Sequence, residues 1–201
     1  MDLKKYNQLV ANLKNDIALG KVEAMKLLGD IYYQGINKNE QNIKTALPYW
    51  RMAADRGDAS VAGKVGLALL MGTGGVQKDE KNGIIYMGMA ANEANDVLCQ
   101  YLIGTFYELG EYLRKNHKEA IKYYRMAALQ NHGEAQFRLG RLQMITQDRS
   151  NEWLHWICCS YLNNNKDAKD FIDYLIRKDG KKAMNLIHYE INNIKKYGIK
   201  T

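Results

Sequence analysis

Three stretches decide the reading of this chain: PYWRMAADRGD at 48–58, IYMGMAANEAN at 85–95 and KYYRMAALQNH at 122–132. Tyr49, Tyr86 and Tyr123 stand 37 residues apart, and so do Met52, Met89 and Met126. The pairs Ala53-Ala54, Ala90-Ala91 and Ala127-Ala128 keep the same period, and a small residue (Ala46, Gly83, Ala120) lies seven positions before each first alanine. A fixed period of this size marks a stacked-repeat architecture, in which each unit buries its apolar face against its neighbours.

A second signal runs out of phase with the first. Leu28-Gly29, Val65-Gly66, Ile103-Gly104 and Leu139-Gly140 are apolar-glycine doublets at steps of 37, 38 and 36 residues. Ala24, Val61, Cys99 and Ala135 precede them by four positions, and Tyr32, Leu69, Tyr107 and Gln143 follow each glycine by three. Spacings of three, four and seven are helical, so each repeat holds two helices, one through the doublet and one through the Ala-Ala pair. Glycine inside a helix costs about 1 kcal/mol relative to alanine. Its recurrence calls for a packing reason, namely close crossing of two helices, with Trp50, Met87 or Tyr124 filling the space. Asp79 and Asn116, the latter followed by Glu119, read as caps of second helices. Pro48 fits a helix capped by Thr45 that starts late or kinks there.

On these residues the chain resembles the SEL-one-like repeat family, a longer relative of the tetratricopeptide repeat. Ala24, Leu28, Gly29, Tyr32 and Gly35 match the first half of the family pattern, and Ala46, Tyr49, Trp50, Ala53 and Ala54 match the second. GTGGVQKD (72–79) matches its loop, and Cys99, Ile103, Gly104, Tyr107, Gly110, Ala120, Tyr123, Tyr124, Ala127 and Ala128 match again. Gly83, Met87 and Asn116 depart from it in size-tolerant ways. The resemblance implies an all-α fold, an α/α solenoid in which antiparallel helix pairs wind into a right-handed superhelix. The expected organisation is one domain over 1–201: a capping helix (1–20), repeats at 21–57, 58–94 and 95–133, a shortened repeat at 134–165 with Cys158-Cys159 in place of Ala-Ala, and closing helices over 166–201.

Composition agrees. The 201 residues are 46% hydrophobic and 25% charged, with one proline. That excludes a disordered or collagen-like chain and argues against a loop-rich β-sandwich. The net charge of +7 is concentrated toward the end: 166–201 holds nine Lys/Arg and five acids. The three cysteines (Cys99, Cys158, Cys159) form no C-x-x-C pair, so neither a disulfide framework nor a zinc knuckle is expected. The first residues, MDLKKYNQLVANLKND, lack the apolar run of a secretory signal, and no stretch is long and apolar enough to span a bilayer. The expected location is the cytoplasm.

Chemistry-bearing patterns are sparse. GTGGVQKD lacks the Lys-Ser/Thr step of a phosphate-binding loop and follows a helix, so it reads as a turn. His155, Cys158 and Cys159 share a helix face, where cysteines serve as small core packers more readily than as ligands. No nucleophile, base or metal set is placed by motif, and the expectation is a non-catalytic protein without metal or cofactor.

By analogy with tetratricopeptide geometry, the first helices line a concave face. Their outward positions are Lys26, Asp30, Tyr33, Gly63, Leu67, Leu70, Tyr101, Thr105, Glu108, Phe137, Arg141 and Met144. Tyr33, Leu67, Leu70, Tyr101, Phe137 and Met144 are the kind of anchor a protein interface favours. Curling of the superhelix would instead bury some of them between repeats. The family resemblance implies a scaffold that binds a protein or peptide, in a bacterial adaptor, regulatory or immunity-type role; the sequence leaves the oligomeric state open between monomer and weak dimer. Nucleic acid is not the expected partner. The alternative is binding of nucleic acid or an anionic surface through the basic C-terminal helices.

Overall fold

The structure, a computed structural model, describes residues 3–34, 42–147 and 152–199. Gly35, quoted above for the repeat pattern, lies outside them. Among the described residues the protein is all-α, a helix-pair repeat of the solenoid class, and contains no strand. The chain divides into two compact units, Met1–Cys99 and Gln100–Thr201.

The first unit carries α1 (Leu3–Ala18), α2 (Val22–Gln34), α3 (Ile43–Ala54), α4 (Ala59–Met71) and α5 (Glu80–Glu93). It ends inside α6 (Val97–Leu109). The second continues with α7 (His117–Leu129), α8 (Gly133–Thr146), α9 (Trp153–Leu162) and α10 (Lys166–Tyr197). In the first unit α1 lays Tyr6 and Leu13 on Ala24, Leu28 and Ile31 of α2. In the second, Phe137, Ile157, Cys158, Cys159, Ala168, Ile172, Ile187 and Ile194 form one buried cluster.

The doublet glycines do what the spacing requires. A Cβ on Gly29 would stand 2.4 Å from Trp50 Cδ1, on Gly66 2.6 Å from Met87 Cγ, and on Gly104 2.7 Å from Tyr124 Cδ1. On Gly140 it would stand 2.6 Å from the Trp153 carbonyl. In each pair the second helix lies directly on the bare backbone of the first.

Two backbone devices repeat with the sequence. In the first three pairs the N-cap residue of the second helix bonds back to the residue three after the doublet glycine: Asn42 to the Tyr32 carbonyl (3.4 Å), Asp79 to Leu69 (2.8 Å), Asn116 to Tyr107 (2.9 Å). The turn out of each second helix also recurs. Gly57 and Asp58 donate to Ala54 and Ala53, and Asn131 and His132 donate to Ala128 and Ala127. Asn164 and Asn165 donate to Tyr161 and Ser160. The residue at the bend has positive φ: 92° at Gly57, 66° at Asn131 and 60° at Asn164. Glycine and asparagine are the residues that tolerate this region. Asp96, His132 and Asn165 then cap the next helix, accepting from the N–H groups of Cys99, Ala135 and Ala168.

These devices correct two sequence expectations. Asn42, not Thr45, caps α3, its side chain accepting from the Thr45 N–H at 3.0 Å. Pro48 therefore falls past the first turn and offers no N–H to the Lys44 carbonyl, at an exposed site where water can reach that carbonyl. The bonds from Asn164 and Asn165 also place Ser160-Tyr161, not Cys158-Cys159, at the Ala-Ala position. Ile157 then takes the place of Tyr124, against Gly140. The expected caps Asp79 and Asn116 do cap, accepting from Asn82 and from Lys118 and Glu119 respectively.

The C-terminal helix is broken. Gly180 sits at φ 57°, ψ −134° inside α10. Ala168 and Ile194 would lie about 39 Å apart along an unbroken helix, yet both enter the same cluster. Ala168 and Ile172 occupy the spacing of Ala24 and Leu28, so 166–179 extends the first-helix pattern once more and 181–197 returns as its partner.

Candidate functional site

The doublet glycine admits a large second-helix side chain, whose polar edge bonds a carboxylate of the first helix that a cation from the next helix then pairs. In the first unit, Trp50 is 1% exposed with its ring against Gly29. Its Nε1–H donates to Asp30 Oδ1 at 3.0 Å. The same oxygen accepts from Lys64 Nζ at 2.7 Å, and that ammonium lies 4.9 Å from the centre of the Trp50 ring. Tyr33 rests beside the Trp50 ring, the two ring centres 5.0 Å apart and tilted. Tyr33, Ile43, Trp50, Lys64, Leu67 and Met71 line a cleft of about 280 Å³. Tyr33 is 40% and Met71 64% exposed at its mouth.

The second unit repeats the arrangement one repeat pair on. Trp50 to Tyr124 and Lys64 to Arg138 are both steps of 74 residues. The Tyr124 hydroxyl donates to Glu108 Oε2 at 2.6 Å and lies 3.1 Å from Thr105 Oγ1, the residue at the Asp30 position. Arg138 Nη1 lies 3.3 Å from that Glu108 oxygen, and its Nε donates to Glu134 at 3.0 Å. Burial and the neighbouring Glu108 carboxylate raise the Tyr124 hydroxyl above the ordinary tyrosine pKa, so it stays a donor. Tyr101 covers the clamp, its ring 4.8 Å from His132 and 6.0 Å from Tyr124. In the second repeat the same positions hold Leu67, Leu70 and Met87, and no such clamp is built there.

The expected face is thus resolved residue by residue. In the first unit Asp30, Tyr33 and Leu67 come together around Trp50, while Lys26 is half-buried on α2 one turn before Asp30. In the second, Tyr101, Thr105 and Glu108 come together around Tyr124. Arg141 is exposed and Met144 half-buried on α8. Leu70 and Phe137 are each 6% exposed and belong to the interior, a correction to their assignment as outward anchors. Leu70 backs onto Gly83, and Phe137 meets Phe171 edge-on at 6.3 Å. Gly63 is buried as well, facing Cys99 Sγ. Trp50, Lys64, Tyr124 and Arg138 were not among the expected site residues. Their signal was a cation one position before the doublet, recurring 74 residues on.

The His155-Cys158-Cys159 face behaves as packing. The His155 Nδ1 pairs with Glu190 Oε1 at 2.7 Å, and its Nε2 lies 3.5 Å from Cys159 Sγ. Burial pushes the Cys158 and Cys159 thiols up to about 12. Among the described residues no group of three or more His, Cys, Asp or Glu is disposed to hold a metal ion. Nor is any helix there long and apolar enough to cross a membrane.

Comparison with known proteins follows the same repeats. The family model of the Sel1 repeat matches residues 22–58, 62–95, 97–132 and 133–146. The chitin synthase regulator SKT5 of Saccharomyces cerevisiae is 32% identical over 112 residues, which is 55% of this chain and 16% of that protein. A Sel1 repeat protein from Oxalobacter formigenes shares the fold at TM-score 0.68 and 24% identity, over 97% of this chain and 79% of that one. The protective antigen c5321 of uropathogenic Escherichia coli, displaying an SLR fold, superposes at TM-score 0.69 and 23% identity, over 85% of this chain and 36% of that one. The chain thus spans only a small part of the curated relative and about a third of the antigen.

Proposed function

The chain belongs to the Sel1 repeat family, and we propose that it is a non-catalytic adaptor or regulatory protein that binds a protein or peptide segment on its first-helix faces. One observation carries this reading. Tyr33 and Met71 stand exposed at the mouth of a cleft whose floor, Trp50, is pinned by Asp30 and roofed by Lys64. Rigid aromatic anchors with an apolar pocket beside them are where binding energy concentrates at interfaces, and ordering costs little when the pocket is already held. Tyr101 on His132 offers a second anchor of the same kind. The three thiols are buried and raised in pKa, the reverse of an activated nucleophile. The regulatory role is supported by the name of the curated relative, a regulator of chitin synthase.

The test is site-specific photocrosslinking in cells of the source organism. A benzophenone side chain placed at Tyr33 and at Tyr101 should give a discrete adduct, and one at the exposed Ile85 of α5 should not. Tyr33→Ala should weaken capture of the same partner at least tenfold. Equal adducts from Ile85, or capture unchanged by Tyr33→Ala, would place the binding face elsewhere.

A further inference from the structure

The break at Gly180 sorts the charge of the C-terminal helix. Segment 166–179 carries Lys166, Lys169, Arg177 and Lys178 against Asp167, Asp170, Asp173 and Asp179, and balances. Segment 181–197 carries Lys181, Lys182, Lys195 and Lys196 against one acid, Glu190. That acid is turned inward onto His155. The basic excess of the tail therefore lies on the second segment, and the signs there are not interspersed.

Its placement on the helix is as uneven. Ile187 and Ile194 are buried in the cluster with Phe137 and Ile157, and Ala183 and Ile191 pack beside them. At 100° per residue, Lys181, Asn192, Asn185, Lys196, Tyr189 and Lys182 fall in that order within one arc of about 100° on the opposite side. All six are exposed. Lys195 lies about 40° outside the arc, past the exposed His188, and no acid enters the arc. Among the described residues none of the four lysines makes an ion pair; Lys196 lies 4.9 Å over the Tyr197 ring. Tyr189 and Tyr197 are each 67% exposed. The two lysine pairs stand about 21 Å apart along the axis.

This composition separates the possible polyanions. A helix lying on a bilayer needs its apolar side free to enter the acyl boundary, and here that side is spent on the core. Met184 and Leu186 are exposed only on the flanks, and the outer arc itself holds lysine, asparagine and the Tyr189 ring. Lysine and asparagine serve phosphate and sugar oxygens, and an exposed ring stacks on bases that are not already paired. We propose that the outer face of 181–197 binds single-stranded nucleic acid, with lysines at both ends on phosphates and Tyr189 between them as a stacking platform. This surface is separate from the peptide-binding faces and stands without them.

The test is fluorescence anisotropy with a labelled 20-mer oligothymidylate and the intact chain, titrated from 20 to 200 mM salt. Four phosphate contacts give a log–log slope of about −2.8. Changing Lys181, Lys182, Lys195 and Lys196 together to Glu should abolish binding. A control with Lys4, Lys14, Lys81 and Lys118 changed to Glu carries the same net charge and should keep most of it. Tyr189→Ala, at an exposed site, should weaken binding roughly tenfold with an unchanged circular-dichroism melt. No binding at 20 mM salt, equal loss in the control, or an unaffected Tyr189→Ala would each overturn the proposal. So would phosphatidylserine vesicles that bind more tightly than the oligonucleotide.

Discussion

Gly29→Ala should destabilise the protein although alanine is the better helix former. Helix propensity alone predicts a gain of about 1 kcal/mol. The added methyl, however, would stand 2.4 Å from Cδ1 and 2.7 Å from Nε1 of Trp50. Carbon contacts are comfortable at about 3.5–4.0 Å, so ring and helix must part by roughly 1 Å. Trp50 has nowhere to go: it is 1% exposed, bonded through Nε1 to Asp30 and overlaid by Lys64. Overpacking of this kind costs about 1–3 kcal/mol, and straining the Trp50–Asp30 bond adds about 1 kcal/mol. The expected net loss is about 1–3 kcal/mol, or about 2–4 °C in Tm for each kcal/mol. The internal control is Gly88→Ala, also inside a helix (α5), where an added Cβ meets nothing within 4 Å. That variant should gain up to about 1 kcal/mol. Urea unfolding followed by circular dichroism, with the slope checked for change, reads both. If Gly29→Ala is stabilised as much as Gly88→Ala, the close-crossing explanation of the doublets is wrong.

Further predictions test the caps, the clamp and the thiols. Asn116→Ala, which removes two N-cap bonds from α7, should cost about 1 kcal/mol by the same unfolding assay. Hydrogen bonds from Asn82 hold the Asp79 carboxyl below its ordinary pKa. A depressed folded pKa means its contribution is present above the unfolded value and is lost as pH falls through the folded one. The Tm gap between the protein and Asp79→Ala should therefore be full at pH 6 and close progressively below pH 4. Tyr124→Phe removes the donor to Glu108 while leaving Arg138 beside it, and should cost about 1–2 kcal/mol rather than unfold the unit. With Cys158 and Cys159 pushed to about 12 and Cys99 raised further by burial, a disulfide reagent at pH 8 should find no reactive thiol until urea is added. A native-state reaction as fast as that of free cysteine would contradict the buried packing.

Much of the frame was legible in residue order. The doublets, the Ala-Ala pairs and the caps Asp79 and Asn116 recur because each repeat must solve the same crossing and the same turn. The cap Asn42 was legible too, 37 residues before Asp79; a locally attractive threonine beside Pro48 hid it. The fourth repeat misled because its residue types had changed. With Cys158-Cys159 resembling a small pair, only the turn bonds at Asn164 and Asn165 fixed the register.

By itself the sequence determined that this is a stack of helix pairs and why glycine sits at each crossing, because these follow from spacing along one chain. Tertiary structure alone decided which outward positions stay outward. Leu70 and Phe137 were read as outward by the same analogy as Leu67 and Met144, yet neighbouring elements cover them. It alone joined Asp30, Trp50 and Lys64, and Glu108, Tyr124 and Arg138, into clamps, since those groups meet across three helices. And it alone turned Glu190 inward, leaving a face of lysines that the linear order presents only as a mixed tail.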